Sequence, residues 1–509
     1  MEANSELSDV STVLSSLLEK LHKLPLNRRE LPTLPEDGTI AEARRSLPQT
    51  LSENGHDDWA EHLVRDITPA LNASSLSPNY YGFVIGGCAP AALFGDILAS
   101  IYDQNVHIHL PNQTIATNVE RCALDLLLDL FHLDRNVWGA NPTFTTGATS
   151  SNVLGLAMGR EWVLRRKAKE RGSQLRSVGK HGIYEVMEFA GLKKIQILST
   201  MPHSSIAKAA SIVGIGRANV VSVHKMDESG ASSIEIDFDR FETEARRADV
   251  ASILVISAGE VNTGQFATGG LRELQRLRSS CDQHDVWIHV DGAFGLFGRV
   301  LPPEDEEELG EIVRGCKGLE LADSITGDGH KLLNVPYDCG FYFCRHNDIA
   351  EEVFQNGNAA YLTSAGSDDD VSSPLNIGIE NSRRFRALPV YATLLAYGRG
   401  GYIDMLRRQI RLARKVVIGL WDSEIYQTLP KASSKAEIVG KTFIVVLFRA
   451  RDQNLNGDLV RRINSTRKMY VSGTIWEGKS AARLAIANWA VDVERDYQII
   501  RSVLQDVAK

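Results

Sequence analysis

Short, β-branched apolar runs alternate with helical stretches between about residues 118 and 350, and this alternation constrains the fold more than any other feature. The runs occupy residues 194–198, 219–223, 253–256, 286–290 and 340–343. Nearly continuous apolar strands separated by helices are typical of a largely parallel sheet that is covered on both faces. The pattern therefore predicts an α/β domain whose ligand binds at the carboxyl ends of the strands.

The regions on either side of this domain carry different patterns. Large aliphatic residues near the start follow the spacing of an amphipathic helix, whose stripe favours packing on another subunit or domain: Leu7, Val10, Leu14, Leu17, Leu18 and Leu21. Helical periodicity over 388–414, strand-like runs at 443–447 and 469–471, and a last helix from about 491 indicate an α+β unit. We therefore expect a helical arm and lead-in over 1–105, a large α/β domain over 106–382 and a smaller C-terminal α+β domain over 383–509.

Composition argues against several classes of function. Hydrophobic residues make up 43% of the 509 residues and the net charge is only −8, so neither disorder nor a nucleic-acid footprint is indicated. No apolar run approaches the roughly 20 residues that cross a bilayer, and the first residues do not resemble a secretory signal. The six cysteines lack the spacing of a zinc site or a disulfide scaffold. We expect a cytoplasmic protein that binds a small molecule rather than nucleic acid or membrane.

The strongest local motif is Gly-Asp-Gly-His-Lys, which ends at Lys331. A lysine that follows a strand and flexible glycines can reach a ligand at the sheet edge, and partial desolvation makes its amine a nucleophile. Taken alone, Lys331 is better explained as a surface lysine. Its interpretation depends on the other motifs of the chain.

Asp291 ends an apolar run forty residues upstream of Lys331 and is followed by Gly292 and Ala293. A carboxylate at the carboxyl end of a buried strand can pair with a protonated pyridine nitrogen, and a small residue lets a flat ring lie close to the backbone. A helix cap after a strand explains an isolated aspartate equally simply.

Further candidate motifs lie upstream of Asp291. The hydroxyl-rich turn at 145–152 opens a helical stretch, so it suits either a phosphate cradle or a plain helix cap. His203 follows a strand and starts a helix, where it can stack on a flat cofactor or act as a cap. His107 and His109 suggest half of a metal site, but no third ligand has a suitable spacing, so we predict no metal.

The order and spacing of these motifs, from about Pro78 to Trp489, resemble the group II amino-acid decarboxylases that depend on pyridoxal 5′-phosphate (PLP). The resemblance implies the PLP-dependent transferase fold of type I, with a mostly parallel seven-stranded sheet in the large domain. It implies PLP as cofactor and a homodimer with its sites at the subunit interface. It also implies conversion of an L-amino acid to its amine and CO2 through a Schiff base on Lys331.

The same resemblance implies a role for individual residues. In this family Lys331 would hold the cofactor, Asp291 would pair with the pyridine nitrogen and His203 would stack on the ring above Ala293. Tyr361 would be the catalytic residue that returns a proton to Cα. The other implied contacts are Ala148 and Thr149 at the phosphate, Arg383 near the phosphate, Thr263 and His330 around the cofactor, and Tyr80, Tyr81, Val106 and Ile108 in the substrate pocket.

The substrate and the outcome of the reaction stay open at this point. The pocket residues favour an aromatic or apolar side chain slightly, but His107, His109 and the arginines near 383 leave acidic substrates possible. Two features depart from the family pattern. One is the pair Asp328-Gly329 directly before His330, and the other is Glu260 within residues 259–261. Alternatives are another PLP-dependent reaction, such as a decarboxylative oxidase, aldehyde synthase, aldolase, lyase or aminotransferase, and more remotely a non-catalytic binding protein.

Overall fold

The secondary structure follows the predicted alternation of strands and helices. The computed structural model describes residues 10–21, 31–53, 58–171, 177–226, 232–356 and 374–509, so Leu7, Tyr361 and the acidic stretch 364–373 lie outside the described residues. The strands are β1 (Tyr80–Tyr81), β2 (Thr143–Thr145), β3 (Lys194–Ser199), β4 (Val220–Ser222), β5 (His224–Met226), β6 (Ser232–Ile236), β7 (Val250–Ser257), β8 (Trp287–Asp291), β9 (Ser324–Asp328), β10 (Gly340–Cys344), β11 (Tyr426–Leu429), β12 (Val445–Ala450), β13 (Tyr470–Trp476) and β14 (Lys479–Ala485). The helices are α1 (Val10–Leu21), α2 (Thr39–Ser46), α3 (Trp59–His62), α4 (Pro90–Tyr102), α5 (Ala116–Leu130), α6 (Arg135–Trp138), α7 (Ala148–Glu170), α8 (Val178–His181), α9 (Ile183–Ala190), α10 (Ser204–Ile212), α11 (Phe238–Ala245), α12 (Leu271–His284), α13 (Glu306–Cys316), α14 (Gly329–Leu332), α15 (Asn347–Phe354), α16 (Ala387–Trp421), α17 (Lys435–Lys441), α18 (Gln453–Ser465) and α19 (Val493–Val507).

A seven-stranded sheet forms the centre of the large lobe, in the order β2-β10-β9-β8-β7-β3-β4. Strand β10 runs antiparallel to both of its neighbours, whereas β9, β8, β7, β3 and β4 run parallel to one another. The prediction of a mostly parallel seven-stranded sheet is therefore confirmed. Strand β9 was not predicted, because its sequence Ser-Ile-Thr-Gly-Asp has no apolar run although all of its residues are buried.

Side chains on the two faces of this sheet pack in two separate apolar cores. In β7, Ile253 and Val255 pack with α7 and α10, whereas Leu254 and Ile256 pack with α12 on the opposite face. Helix α7 lies very close to β8, because a Cβ atom on Gly155 would come within 2.4 Å of the His289 ring. This close packing brings the start of α7 to the carboxyl edge of the sheet.

A second, five-stranded sheet forms the small lobe, in the order β1-β13-β14-β12-β11. Its apolar core includes residues of α16, α18 and α19. Strand β1 lies in the lead-in segment, which was predicted to be helical, but it pairs in parallel with β13. The lead-in therefore contributes a strand to the sheet of the small lobe. A two-residue strand has no periodicity that sequence analysis can detect. The predicted domain boundaries at 105 and 382 stay predictions.

No helix in the described part of the chain is long and apolar enough to cross a membrane.

Candidate active site

Most of the predicted site residues meet at the carboxyl edge of the large sheet. Asp291 is the last residue of β8, Asp328 is the last residue of β9, and Lys331 follows directly in α14. Ala148 and Thr149 begin α7, which follows β2, and His203 lies between β3 and α10. Since β3, β8 and β9 run in the same direction, these residues share one edge of the sheet.

A buried hydrogen-bond network fixes the carboxylate of Asp291. The side-chain amide of Asn152, in the second turn of α7, donates to Asp291 Oδ2 at 3.0 Å and to Ser205 Oγ at 3.1 Å. The backbone N–H of Ala293 donates to Asp291 Oδ1 at 3.3 Å. Asp291 is 5% exposed, so these hydrogen bonds, rather than bulk water, fix the position of its carboxylate.

The orientation of Asn152 is set in turn by His289. The Nε2 atom of His289 lies 2.9 Å from Asn152 Oδ1, and its Nδ1 atom lies 2.7 Å from Ser324 Oγ. Trp287 Nε1 donates to the same Ser324 hydroxyl at 3.1 Å, which leaves that hydroxyl free to donate to His289 Nδ1. Burial lowers the pKa of His289 to about 3, so the ring is neutral and its proton lies on Nε2. The shorter contact of Nε2 is with Asn152 and the longer one, at 3.3 Å, is with the Thr326 hydroxyl. An N–H on Nε2 meets the oxygen of Asn152 rather than its nitrogen, so the Asn152 nitrogen faces Asp291.

His203 is joined to the same network through Ser205. Its Nδ1 atom lies 2.8 Å from Ser205 Oγ and accepts the Ser205 backbone N–H at 3.2 Å. Both contacts leave the proton of the neutral imidazole on Nε2. Partial desolvation by the surrounding protein lowers the pKa of His203. The charge of Asp291 opposes this effect, and the charge of Lys331 reinforces it. His203 thus presents a neutral ring beside Asp291 and Lys331.

Lys331 pairs with a carboxylate that sequence analysis did not assign to the site. Its Nζ lies 2.9 Å from Asp328 Oδ2 and 5.7 Å from the centre of the Phe294 ring. His330 packs its ring against Tyr337 at a centroid distance of 4.3 Å and accepts the Cys339 backbone N–H on Nδ1 at 3.3 Å. The Nε2 side of His330 therefore faces Asp328, at 3.6 Å from Oδ1.

The loop after Lys331 is tied to two other parts of the chain. Asn334 has a left-handed backbone with φ of 58°, and its side-chain amide donates to the carbonyl groups of Gly86 and Ala487 at 2.8 and 3.0 Å. Gly86 belongs to the lead-in and Ala487 follows β14 of the small lobe. The position of Lys331 therefore depends on contacts from both ends of the sequence.

Thr263 lies in a loop that is organised by a buried glutamate. Glu260 Oε2 accepts the Thr263 backbone N–H and its hydroxyl, each at 2.9 Å. Arg483 in β14 joins this loop, since its Nε donates to the Val261 carbonyl at 2.6 Å. Burial lowers the pKa of Arg483 to about 10, against the opposing charge of Glu260, so the side chain is still a cation at neutral pH. Its Nη2 atom is buried without a hydrogen-bond partner among the described residues.

The four predicted pocket residues do not share one environment. Tyr80 stacks on Tyr470 of β13 with ring centroids 4.4 Å apart, and burial raises its pKa to about 12. Tyr81 points the opposite way, because side chains alternate along a strand, and packs in the core of the small lobe. Its hydroxyl accepts the Asn79 amide at 2.9 Å. Val106 packs in a core of the large lobe, and Ile108 is partly buried.

Arg383 is engaged in a buried ion pair with Glu120, in which Nη1 donates to Oε2 at 2.8 Å and Nη2 contacts Oε1. The neighbouring arginines are also paired: Arg384 Nη2 lies 2.8 Å from Asp96, and Arg386 binds Asp338 through two contacts of 2.9 and 3.0 Å. Because Glu120 already binds its guanidinium group, the position of Arg383 near the phosphate stays a prediction.

The donor groups at this edge suit PLP. The lysine amine suits the aldehyde of the cofactor, and the buried strand-end carboxylate suits its pyridine nitrogen. The imidazole suits the face of the ring, and the start of the 23-residue helix suits the phosphate. Among the described residues, no group of three or more His, Cys, Asp or Glu residues could hold a metal ion.

Comparison with known proteins supports the same class of protein. Residues 42–429 match the conserved domain of the pyridoxal-dependent decarboxylases. Tryptophan decarboxylase 1 of Oryza sativa subsp. japonica is 24% identical over 94% of this chain and 90% of that protein. L-2,4-diaminobutyrate decarboxylase of Acinetobacter baumannii is 26% identical over 64% of this chain and 61% of that protein. The crystal structure of Oryza sativa TDC with PLP and tryptamine has a TM-score of 0.78 at 20% identity and covers 99% of this chain and 98% of that one.

The fold is therefore that of a PLP-dependent enzyme of type I. The chain belongs to the pyridoxal-dependent decarboxylase family, whose conserved domain spans most of its length. It is an amino-acid decarboxylase that uses pyridoxal 5′-phosphate, as the sequence motifs predicted.

Sequence analysis missed four residues around this site: Asn152, Asp328, Arg483 and Tyr470. Asn152 and Asp328 lie inside motifs that were recognised, at positions where only the folded contacts show their role. Arg483 and Tyr470 come from the small lobe, far from the motifs in sequence. An arginine among small apolar residues in 480–487 was the one local signal for Arg483.

Proposed function

We propose that this chain decarboxylates an L-amino acid with an aromatic side chain, and that Lys331 anchors the cofactor covalently. The observation that carries the proposal is a series of aromatic rings that begins at the lysine and reaches Tyr80 through Tyr337, whose charge interaction adds to the effect of burial in raising the pKa of Tyr80. Tyr80 stacks on Tyr470, Tyr337 lies against His330, and Phe294 lies under Lys331 Nζ. Aromatic rings bind other rings through offset or edge contacts worth about 0.5–1.5 kcal/mol beyond simple burial.

Bound PLP supplies an electron sink for the bond that breaks at Cα. The residues of this chain prepare that chemistry in fixed positions. The Lys331 amine would form the covalent link, while Asp291, held by Asn152, would bond to the ring nitrogen and keep it protonated. His203 covers one face of the ring and Ala293 leaves room on the other.

The remaining predicted contacts are part of the same proposal. The first N–H groups of α7, at Ala148 and Thr149, face the phosphate, because the start of a helix attracts anions. His330 supports the lysine and Thr263 borders the site. Arg383 acts on the phosphate only indirectly, since Glu120 holds its guanidinium group.

Arg483 is suited to bind a carboxylate of the substrate. It is buried, and its Nη2 atom has no hydrogen-bond partner among the described residues. Its positive charge also helps to lower the pKa of His203. We expect Arg483→Gln to raise KM about tenfold or more, with a smaller change in kcat, because a charge-assisted hydrogen bond is lost. Unchanged KM values for all substrates would contradict this assignment.

The arginines near residue 383 argue against an acidic substrate. Arg383, Arg384 and Arg386 are each paired with a carboxylate, so their charges are compensated within the chain. Of their buried nitrogen atoms, only Nη1 of Arg386 lacks a hydrogen-bond partner among the described residues. The comparison with a tryptophan decarboxylase also supports an aromatic substrate.

The direct test is release of CO2 from a panel of amino acids by the PLP-loaded enzyme, with products identified by mass. We expect the highest kcat/KM with an aromatic amino acid and an amine as product. Preference for glutamate or diaminobutyrate over every aromatic amino acid would overturn the substrate class.

A matched pair of variants tests the aromatic pocket. Tyr80→Ala removes the ring that stacks on Tyr470, and we expect it to lower kcat/KM for the preferred aromatic substrate about tenfold, because one stacking contact is lost. Tyr184→Ala removes a ring that is 76% exposed on α9 and serves as the control. Equal effects of the two substitutions would remove Tyr80 from the pocket.

Tyr361 decides between an amine and a carbonyl product in this proposal. Tyr361→Phe is expected to shift the product from amine towards aldehyde, since the hydroxyl that would return a proton to Cα is removed. The measurement is the ratio of amine to aldehyde by mass. An unchanged amine yield would refute the role of Tyr361.

We propose that the active form is a homodimer, with a second copy of this chain covering α4. One face of α4 exposes four large apolar side chains: Leu93, Phe94, Ile97 and Ile101. The stripe on α1 also exposes Leu18. Phe94→Asp is expected to shift the mass in solution from dimer towards monomer, whereas Tyr184→Ala keeps it. Ile108, which is partly buried, would then line the pocket near the subunit boundary, whereas the pocket role of Val106 is at odds with its full burial in a core of the large lobe. The thiols of Cys122, Cys281, Cys316, Cys339 and Cys344 fit a reducing cytoplasm.

A further inference from the structure

Asp328 occupies a position between the candidate lysine anchor and the candidate phosphate cradle. It ends β9 three residues before Lys331 and is 3% exposed. One carboxylate oxygen, Oδ2, lies 2.9 Å from Lys331 Nζ. The other, Oδ1, accepts the backbone N–H of Ala148 at 2.5 Å. A single buried carboxylate therefore bridges the two parts of the site that PLP must contact.

The contact with Ala148 places a negative charge at the start of α7. Ala148 is the first residue of this helix, whose first N–H groups have no partner within the helix and attract anions. The phosphate of PLP is the anion that this end of the helix would hold. Asp328 already uses one of the N–H groups that a phosphate oxygen needs.

Cofactor binding would also change the direct ion pair between Asp328 and the Lys331 ammonium group. The Lys331 amine would condense with the cofactor aldehyde and release water, so Nζ would no longer be the free ammonium group that pairs with Oδ2, and any charge on the link would be shared with the cofactor. His330 offers no replacement charge, because burial lowers its pKa and leaves the ring neutral. The Asp328 carboxylate would then have a weaker counter-charge while it faces a phosphate in a poorly solvated site, where like charges repel strongly.

We propose that Asp328 sets the affinity for the cofactor by competing with its phosphate group at the start of α7. The carboxylate disfavours the phosphate specifically, while it affects the lysine equally for any aldehyde that Lys331 captures. This proposal rests on the proposed function only in that Lys331 and α7 form the PLP site.

The test compares PLP with pyridoxal, which has the same aldehyde and ring but no phosphate. Each is titrated into wild type and Asp328→Asn, and binding is followed by the visible absorbance band of the bound cofactor. The quantity of interest is the ratio of the dissociation constant for pyridoxal to that for PLP, since any effect on Lys331 cancels in it. We expect the ratio to rise about tenfold in Asp328→Asn, because asparagine keeps the hydrogen bond to Ala148 without the charge.

Asp338→Asn is the matched control. Asp338 lies ten residues further along the same loop, is 41% exposed and pairs with Arg386 instead of Lys331. We expect it to leave the ratio within twofold of wild type. If Asp328→Asn folds poorly by circular dichroism, Asp328→Ser gives the same comparison with a smaller neutral side chain. Inorganic phosphate should also compete with PLP more strongly in either Asp328 variant than in wild type.

The outcomes separate this proposal from the proposed function. A wild-type absorbance band with a ratio that is unchanged or lower in both Asp328 variants would overturn the role of Asp328 and leave Lys331 as the anchor. Absence of any band in wild type after addition of PLP would overturn the anchor itself, and the role of Asp328 with it.

Discussion

The Asp291 side and the Lys331 side of the active site differ in burial and in charge. Around Asp291, the side chains of Asn152, His289 and Ser324 are fully buried, uncharged and hydrogen-bonded to one another. Around Lys331, a carboxylate at 2.9 Å, a neutral imidazole and the half-exposed ring of Tyr337 meet near solvent.

This difference matches what each side must do. A partner for a ring nitrogen works best when it is held rigidly, and a satisfied buried network provides that rigidity. A lysine that must exchange its bond with each incoming amine needs room and a place for its charge. In the proposed function, the Asp291 side would be the fixed half of the site and the Lys331 side the exchangeable half.

The largest effect is expected from removal of the exchangeable amine. Lys331→Ala should abolish the visible band of bound PLP and lower the decarboxylation rate by about 10⁴-fold or more, the scale seen when one member of a group that acts as a unit is lost. Absorbance spectra and CO2 release measure the two effects. Lys317→Ala, which removes an exposed lysine paired with Glu306, should change neither. A surviving band in Lys331→Ala would show that another group holds the cofactor.

The next effect tests the fixed half. Asp291→Asn keeps the shape of the side chain but removes the charge that holds a proton on the ring nitrogen, so we expect kcat to fall about 10²–10³-fold. PLP should still bind, as judged by absorbance. Asp348→Asn, at a carboxylate that is 72% exposed, is the control. A loss smaller than tenfold would mean that the two halves do not differ in the way described.

Asn152→Ala sharpens the comparison by loosening Asp291 without removing it. The substitution takes away one hydrogen bond to Asp291 and the acceptor of His289 Nε2. We expect the free energy of unfolding to fall by about 1–3 kcal/mol and kcat to fall by up to roughly 10²-fold. Denaturant unfolding and initial rates measure these, with Asn136→Ala on the surface as control. Loss of stability with unchanged kcat would make the network purely structural.

The smallest effect concerns the dependence of stability on pH. Burial lowers the pKa of His289 to about 3, whereas an unfolded histidine titrates near 6.5. The stability that neutral His289 contributes is therefore fully present above pH 6.5 and is lost as the pH falls from 6.5 towards 3, by about 1.4 kcal/mol per pH unit. His289→Gln should lack this part of the slope in denaturant unfolding between pH 7 and 5, whereas His181→Gln should keep it. Equal slopes in wild type and His289→Gln would contradict the buried neutral ring.

Much of the fixed half could be predicted from the sequence. Asp291 ends an apolar strand, and the hydroxyl-rich turn before α7 is a local helix-start signal, so their placement at one sheet edge follows from strand direction. The role of Asn152 could not be predicted, because it depends on Asp291, which lies 139 residues away.

Little of the exchangeable half could be predicted beyond Lys331. Asp328 was noted only as a departure from the family pattern, since its partner Ala148 lies 180 residues earlier in the chain. Tyr80 and Tyr81 were assigned to the same pocket, but their strand gives them opposite directions. Arg383 was placed near the phosphate, and its partner Glu120, 263 residues away, could not be found from the sequence.

The sequence by itself determined the parallel sheet, because strand periodicity is encoded within a few residues. Its motifs also carried the family resemblance that implied the cofactor and the lysine that we propose as its anchor. Only the tertiary structure decided which partner each charged group receives. Asp328 meets Lys331 and the start of α7, and Arg383 meets Glu120, because strand order and helix packing bring together residues that are distant in sequence. The energy of a buried charge depends on that partner, so the proposed role of Asp328 in cofactor affinity follows only from the tertiary structure.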